Sequence, residues 1–169
     1  MNIILETPRL RLISKTIELT RASFYGTQEL EKHLGTSVHK DFLAPNYQED
    51  IFPLQYGRIA HDHTLSHWSG FVVEKARNVL IGTAGFLDKP NAKGEVEIKF
   101  YIHPSFRGQG YATEILLHMK DYYLEKEEVL AILASHVLAD NIPAIRVLEK
   151  MGMRVAKDRG GELNFILRK

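Results

Sequence analysis

The chain has 169 residues, of which 44% are hydrophobic and 25% charged, and its formal net charge is +1. This length suits one domain, 1–169, with a sizeable core, and the composition excludes disordered, collagen-like and coiled-coil chains. Because cysteine is absent, disulfides, a thiolate nucleophile and cysteine-ligated metal sites are excluded. The near-zero net charge argues against nucleic acid as a partner, since that requires a surplus of lysine and arginine.

The sequence shows no targeting or membrane signal. The apolar run at residues 3–5 is too short for a signal peptide, and no basic segment precedes it. The longest apolar-rich stretch, residues 129–139, falls well short of the ~20 residues that cross a bilayer. We therefore expect a cytoplasmic protein without a membrane partner.

The N-terminal half predicts a strand at 9–14, helices at 16–34 and 46–60, and hairpin strands at 69–75 and 79–87. Leu10 and Leu12 alternate with arginines, which is typical of a half-buried strand. Gly35 is expected to end the first helix, and Pro53 weakens the prediction of the second. The hairpin signal is the turn-forming segment 76–78 between two β-rich runs.

The C-terminal half predicts a strand at 95–102, a helix after Gly110, a strand at 129–137, a helix after Asn141, and strands at 153–157 and 162–167. The apolar run at 129–137 predicts a strand covered on both faces. Asn141 can cap its helix, and Gly152 has the left-handed position at that helix's end. Helical crossovers require parallel neighbours and hairpins require antiparallel ones, so the predicted sheet is mixed.

The segment that carries chemistry is Arg107-Gly108-Gln109-Gly110-Tyr111-Ala112, between a strand and an amphipathic helix. Its glycines permit close approach of the backbone, and the first N–H groups of the helix attract an anion such as a diphosphate, with Arg107 as a charged clamp. The alternative is that the glycines only form a tight turn. The segment does not match a P-loop, because no Gly-Lys-Ser or Gly-Lys-Thr ends it. It does not match a Rossmann fingerprint either, because that motif needs glycine where this chain has Thr113.

The same six residues resemble the acetyl-coenzyme A signature of the GNAT N-acetyltransferase superfamily. Residues 6–12, 97–104 and 141–153 resemble further blocks of the branch that acetylates the N-terminal alanine or serine of ribosomal proteins. These blocks occur in the family's order and cover nearly the whole chain. The resemblance implies an α/β (α+β) GNAT fold, with a mixed, mostly antiparallel sheet flanked by helices and parallel central strands that splay apart.

The resemblance also implies that acetyl-CoA is the co-substrate and that no metal is used. The implied cofactor-binding residues are Tyr101, Ile102, Arg107, Gly108, Gln109, Gly110, Tyr111, Ala112, Thr113 and Asn141. The amides from Gly108 to Thr113 would hold the diphosphate, and the backbone at the strand end would pair with the pantetheine arm. Asn141 would contact the cofactor from the far side of the gap between the two splayed strands, or serve only as a helix cap.

Direct attack by an amine needs a general base, and Glu97 has the family's acidic position. Its alternative role is a solvated strand carboxylate. Lys99 shares the face of Glu97 where the family usually has glycine, and we expect it to narrow or alter substrate choice. Ala144 and Leu148 replace residues that donate a proton in relatives, so Tyr101, Tyr111, Ser135 and His136 stay open as acids.

His61, His63 and His67 match no zinc signature, and we interpret them as parts of an exposed loop. The resemblance implies an N-acetyltransferase acting on a primary amine, which includes a protein N-terminus. Small amines and aminoglycosides are alternative acceptors, and a non-catalytic acyl-CoA-binding sensor is the alternative outside enzymes. The sequence leaves a monomer and a homodimer equally open.

Overall fold

The computed structural model describes residues 2–43 and 52–169. The strands are β1 (Ile3–Glu6), β2 (Leu10–Ser14), β3 (Ser37–Val38), β4 (Ser69–Glu74), β5 (Val79–Phe86), β6 (Glu95–Ile102), β7 (Ala131–Leu138), β8 (Arg154–Asp158) and β9 (Glu162–Arg168). The helices are α1 (Ile17–Tyr25), α2 (Thr27–Leu34), α3 (Phe52–His61), α4 (Tyr111–Leu124) and α5 (Ile142–Lys150). Short 3₁₀ helices occupy His63–His67 and Pro104–Phe106.

The strands form one sheet in the order β1-β2-β4-β5-β6-β7-β9-β8, and β3 adds to β5. Neighbours are antiparallel except for the central pair β6–β7 and the short pair β3–β5. The expected mixed, mostly antiparallel sheet is therefore confirmed. In the part of the chain that the structure describes, no helix has the length and hydropathy to span a membrane.

The sheet separates two apolar clusters because successive strand residues point to opposite faces. On one face, Leu12 and Ile98 pack with Ile115 of α4 and Leu148 of α5. On the other face, Ile13, Phe71 and Leu80 pack with Leu19 of α1 and with Leu30 and Leu34 of α2. Burial of each such side chain stabilises the fold by about 1.5–3 kcal/mol. These helices fix the sheet that carries the site.

The helix predicted at 16–34 is two helices, because Gly26 separates α1 from α2. Gly26 has φ 111° and ψ −179°, a region that is essentially restricted to glycine. The predicted ends are confirmed: Thr16 Oγ1 accepts a hydrogen bond from Leu19 N at 3.3 Å, and Gly35 closes α2 with φ 70°. The hydrophobic pattern continued through the break, so periodicity alone did not locate it.

The structure differs from the sequence predictions, or leaves them partly undescribed, in three further places. The sequence did not predict β1, which pairs with β2, or β3. Of the helix predicted at 46–60, the part before residue 52 lies outside the described residues, and the rest is α3. The strand predicted at 129–137 was expected to be buried on both faces. Ala131, Ile132 and Ala134 are buried, but Leu130 just before the strand is 51% exposed, and Leu138 at its end is 54% exposed. The exposure at its end arises because β6 no longer pairs with it there.

Substituting Gly26 with alanine is expected to lower the free energy of unfolding by about 1–3 kcal/mol, because a Cβ strains this backbone region. Gly57→Ala is the matched control, since Gly57 lies in α3 with no atom within 4 Å of an added Cβ. That change is expected to stabilise by about 0.5–1 kcal/mol. Urea denaturation followed by circular dichroism measures both, and equal effects of the two substitutions would contradict the assignment of Gly26.

Candidate active site

The central parallel strands diverge in the middle of the sheet. The pairs Glu95 with Ala131, Val96 with Ile132 and Glu97 with Leu133 are in register, and no later pair forms between described residues of β6 and β7. Beyond Glu97, β6 stays paired with β5 as far as Ile102. A wedge-shaped opening thus lies between the C-terminal halves of β6 and β7.

Glu97 holds the two strands at the point where they part. Its Oε1 accepts a hydrogen bond from Ser135 N at 2.7 Å, and its Oε2 accepts one from Ser135 Oγ at 2.9 Å. The next residue, His136, has φ 57°, and the pairing of β7 with β9 shifts between Ala134 and Val137. The carboxylate therefore takes the place of the β6 carbonyl that Ser135 would meet in a continued parallel ladder.

The hydrogen bonds to β5 decide which β6 backbone groups face the opening. His103 N donates to Ile81 O at 2.8 Å, and Leu87 N donates to Glu97 O at 2.9 Å. Because bonded residues alternate along an antiparallel pair, Tyr101 also faces β5, whereas Phe100 and Ile102 face the opening. The sequence analysis named Ile102 but not Phe100, because the hydrogen bonds to β5 determine which residues of β6 face the opening.

The loop after β6 delivers bare amides to the same opening. Gly108 and Gly110 have φ of 75° and 79°, the left-handed region that favours glycine. The first helical hydrogen bond of α4 runs from Glu114 N to Gly110 O at 3.0 Å. Within the described residues, nothing accepts a hydrogen bond from the N–H groups of Gly110 to Thr113. They form the positive end of the α4 dipole and suit a diphosphate.

Arg9 ties this loop to the N-terminal strands. Its Nη1 donates to Gln109 O at 2.9 Å, its Nε donates to Glu114 Oε2 at 2.6 Å, and its guanidinium lies 4.5 Å from the Tyr111 ring centre. Thr7 Oγ1 adds a hydrogen bond to Glu114 Oε1 at 2.5 Å. Burial opposes ionisation of Glu114, but these hydrogen bonds outweigh it and lower the pKa of the carboxyl.

Arg107 and Asn141 follow β6 and β7, the two strands that bound the opening. Arg107 Nε donates to Ile102 O at 2.8 Å, and its guanidinium lies 5.7 Å from the centre of the Tyr101 ring. Asn141 Oδ1 accepts from Ala144 N at 3.3 Å and caps α5, as the sequence predicted. The cap uses the amide oxygen of Asn141, and its exposed amide nitrogen remains a donor.

An aromatic cluster supports the start of the loop. The buried His103 ring lies 4.4 Å from the His39 ring and 6.0 Å from the Phe106 ring, between centroids. His103 Nδ1 accepts a hydrogen bond from Ser105 N at 3.3 Å. Burial, aided by His39, lowers the pKa of His103, so the neutral ring that can accept this bond is favoured.

His61 ends α3, and His63 and His67 lie in the 3₁₀ helix that follows. Across residues 2–43 and 52–169, no three or more histidine, aspartate or glutamate side chains are grouped so that they could hold a metal ion. The sequence motif of three histidines therefore corresponds to a helix end and a connecting turn in the described structure.

A cavity of about 330 Å³ adjoins the opening on the side of α3. Its walls come from α3, from β5 and from Lys99, Phe100 and Tyr101 of β6. Lys15, directly after β2, also lines it. The cavity and the opening therefore share the same segment of β6, so ligands bound in each would meet there.

Lys15 is only 8% exposed. Its Nζ lies 5.4 Å from the centre of the Phe71 ring, and no described carboxylate forms an ion pair with it. Burial lowers the pKa of its ammonium group to about 8. The group is still mostly charged at neutral pH, so the fold bears the cost of a poorly solvated cation.

Fold and site together define an α/β protein with an opening between two parallel strands that leads to the N-terminus of a helix. Residues 9–154 match the family described as "Acetyltransferase (GNAT) domain", and the chain belongs to this family. It is an acetyl-CoA-dependent N-acetyltransferase. A curated relative, the "Uncharacterized N-acetyltransferase YjdG" of Bacillus subtilis (strain 168), is 29% identical over 150 residues, which is 89% of each chain.

Solved structures share the fold at lower identity. The structure described as RimL, a ribosomal L7/L12 alpha-N-protein acetyltransferase in complex with coenzyme A, has a TM-score of 0.67 at 14% identity, covering 99% of this chain and 98% of that one. The ribosomal-protein-S5-alanine acetyltransferase from Vibrio fischeri has a TM-score of 0.65 at 16% identity, with coverage of 98% and 94%. These matches confirm the expected fold.

Replacing Arg9 with methionine is expected to lower the free energy of unfolding by about 1–2 kcal/mol, because Glu114 and the Gln109 carbonyl lose a charged donor that is partly solvent-screened. It should also weaken acetyl-CoA binding, since the loop loses its tie to β2. Urea denaturation and calorimetric titration measure the two effects. Arg21→Met, at an exposed position of α1, is the control and should change neither quantity.

Lys15→Met is expected to raise the free energy of unfolding at pH 7 by on the order of 2–3 kcal/mol. The unfolded chain holds the Lys15 proton up to about pH 10.5 and the folded chain only to about pH 8. The destabilisation is therefore complete below pH 8 and disappears as the pH rises toward 10.5. Denaturation at pH 7 and pH 10, with the exposed Lys32→Met as control, checks this, and equal gains at both values would contradict it.

Proposed function

We propose that the chain transfers the acetyl group of acetyl-CoA to a primary amine bound in the cavity beside β6. The observation that carries this proposal is a line of backbone N–H groups that face the opening and have no partner among the described residues. It runs from Phe100 and Ile102 on the free edge of β6 to the bare amides at the start of α4. An extended ligand with an amide-bearing arm and a terminal diphosphate matches this line.

The residues present fit acetyl-CoA on two independent counts. The free edge of β6 can pair with the amides of a pantetheine arm as an added strand would. The amides from Gly108 to Thr113 precede or open a helix of 14 residues, and Arg107 stands beside them. When bound, acetyl-CoA supplies an activated thioester, whose carbon–sulfur bond breaks as the amine nitrogen forms a bond to the acetyl carbon.

The backbone of β6 supplies the electrostatic part of the mechanism. Phe100 N–H faces the opening and also belongs to the segment that lines the cavity. In this proposal it donates a hydrogen bond to the thioester oxygen as negative charge develops there. A donor fixed in a strand needs no reorganisation during the reaction. Asn141, on the other side of the opening, donates its free amide N–H to the cofactor.

Glu97 is the proposed general base, acting through water on the amine proton. It shares a strand face with Lys99 and Tyr101, which line the cavity, and Lys99 Nζ lies 3.7 Å from Glu97 Oε1. Ser135 uses one lone pair of each carboxylate oxygen, and each oxygen has a second lone pair for water. The hydrogen bonds from Ser135 fix the direction of the carboxylate.

The proposal assigns no residue to protonate the departing thiolate, because a thiol of ordinary acidity leaves without help. The open candidates for this role have other contacts. Tyr111 hydroxyl accepts from Arg77 Nη2 at 3.2 Å, Ser135 Oγ donates to Glu97, and His136 Nδ1 lies 2.8 Å from Glu162 Oε2. Ala144 and Leu148 carry no exchangeable side-chain proton.

A peptide N-terminus is the proposed form of the amine. Two structural neighbours are named as acetyltransferases of ribosomal proteins, which supports this acceptor. The cavity volume of about 330 Å³ suits the amine and first side chain of a peptide rather than a longer segment. The alternative, an acyl-CoA-binding sensor, predicts acetyl-CoA binding without thiol release in the presence of any amine.

Glu97→Gln is expected to lower kcat by about 10²-fold or more while leaving the dissociation constant of acetyl-CoA nearly unchanged. The loss follows because glutamine cannot take up the amine proton. Steady-state thiol release and calorimetric titration measure the two quantities. Glu95→Gln is the matched control, since Glu95 lies on the same strand face and its side chain accepts a hydrogen bond from Asn91 Nδ2 of the preceding loop.

Ser135→Ala separates positioning from proton transfer, because it removes one hydrogen bond to Glu97 and keeps the carboxylate. It is expected to lower kcat far less than Glu97→Gln. Retention of activity in Glu97→Gln would contradict the assignment of the base. Thiol release that no peptide or small amine stimulates, together with tight acetyl-CoA binding, would favour the sensor.

A further inference from the structure

The cavity beside β6 is large enough only for a small acceptor or for the amine-bearing end of a larger one. Its volume of about 330 Å³ lies at the lower limit of ligand pockets. It therefore suits a single residue or a free amino acid better than a large polyamine or aminoglycoside. The charges on its walls restrict the ligand further.

Three cationic side chains line the cavity, and no acidic residue is among the described residues that do so. Two of the three have anionic neighbours outside the cavity. Arg58 Nη2 lies 2.5 Å from Asp88 Oδ2, and Lys99 Nζ lies 3.7 Å from Glu97 Oε1. Lys15 has no such neighbour in residues 2–43 and 52–169. An anion in the cavity would complete its pairing.

Lys15 lies at the inner wall, not at the surface. More than nine-tenths of the residue is buried, and the contact of its ammonium group is the Phe71 ring. The pKa of about 8 that burial gives this group leaves it mostly protonated at neutral pH. A buried cation that faces an aromatic ring and, among the described residues, no carboxylate is retained at a cost, which a ligand carboxylate would offset.

A second unpaired group lies in the same cavity. Gln55 Oε1 of α3 is buried, and no described residue donates a hydrogen bond to it. It is a hydrogen-bond acceptor of the kind that an amine or amide N–H needs. The cavity thus offers a cation for a carboxylate and an acceptor for an N–H group, a combination that fits an amine bearing an acid group.

We propose that the acceptor is a primary amine that carries a carboxylate, and that Lys15 binds this carboxylate. This inference rests on the acetyl transfer proposed above and names its substrate class. The same cations disfavour the ammonium form of the acceptor amine, so they increase the fraction that can attack. They also repel polyamines and aminoglycosides, whose charges are all positive.

The carboxylate has two chemical sources, a free amino acid and an acidic residue next to a peptide N-terminus. The test compares alanine with alaninamide for the first source. It compares the peptide amides alanyl-aspartyl and alanyl-asparaginyl for the second. Spermidine serves as a purely cationic acceptor. Thiol release by the full chain with saturating acetyl-CoA gives kcat/KM for each compound.

At least one carboxylate acceptor is expected to exceed its neutral match in kcat/KM by about tenfold or more, as befits a hydrogen-bonded charge. Lys15→Met should remove this preference, so that each carboxylate acceptor and its neutral match have nearly equal kcat/KM. Lys15→Arg should retain part of it. Lys32→Met, an exposed change of the same charge, should alter none of these values.

Equal kcat/KM for carboxylate and neutral acceptors, or a preference for spermidine, would overturn the inference and leave acetyl transfer intact. An undiminished carboxylate preference in folded Lys15→Met would overturn the role of Lys15. If no amine stimulates thiol release while acetyl-CoA raises the melting temperature, the proposed acetyl transfer itself fails, and the inference fails with it. Thermal unfolding of each variant confirms that it is folded.

Discussion

Strands β6 and β7 hydrogen-bond along three residue pairs and then separate, and each part of the candidate site depends on that separation. A continuous ladder would use the backbone N–H groups of Phe100 and Ile102 that now face the opening. Strand β6 stays paired with β5 on one edge as far as Ile102, while its other edge is free. The hydrogen bond from Ser135 N to Glu97 satisfies the β7 amide that the divergence would otherwise leave unpaired, and the Ser135 hydroxyl donates a second hydrogen bond to the same carboxylate.

The charge distribution follows the same geometry. The net charge of +1 conceals a concentration of positive potential at the bare α4 amides, at Arg107 and at the cavity wall. Glu114 lies in the first turn of α4, where its charge would repel a diphosphate. Arg9 neutralises that charge, and the hydrogen bond from Thr7 fixes the orientation of the carboxylate. Residues 6–12, which resemble the first sequence block of the family, thus hold the loop after β6 in place.

Local features of the site were predictable, and features set by partner strands were not. The loop at 107–112 and the cap at Asn141 are local patterns, so spacing and residue type located them. Which residues of β6 face the opening depends on which of them hydrogen-bond to β5. The sequence analysis therefore named Tyr101, although Phe100 faces the opening. Burial of Lys15 was also hidden, because it depends on residues far along the chain.

The contact between Glu97 and Ser135 joins positions 38 residues apart, and no single-sequence pattern reports such a pairing. The break at Gly26 was missed for a different reason. A glycine inside a helical pattern is usually tolerated, and only the observed backbone angles show that this one is not helical. Sequence reasoning therefore gave the fold's order and the anion loop, while the acceptor side required the structure.

The most direct test of the account is the backbone-amide NMR spectrum of the assigned protein during titration with coenzyme A. The account predicts the largest shifts at the amides of Phe100, Ile102 and Gly110 to Thr113, because these face the opening and no described residue accepts a hydrogen bond from them. Tyr101 N–H, which bonds to β5, should shift less than its two neighbours. Saturable binding that leaves these amides unchanged and perturbs another part of the sheet would contradict the account.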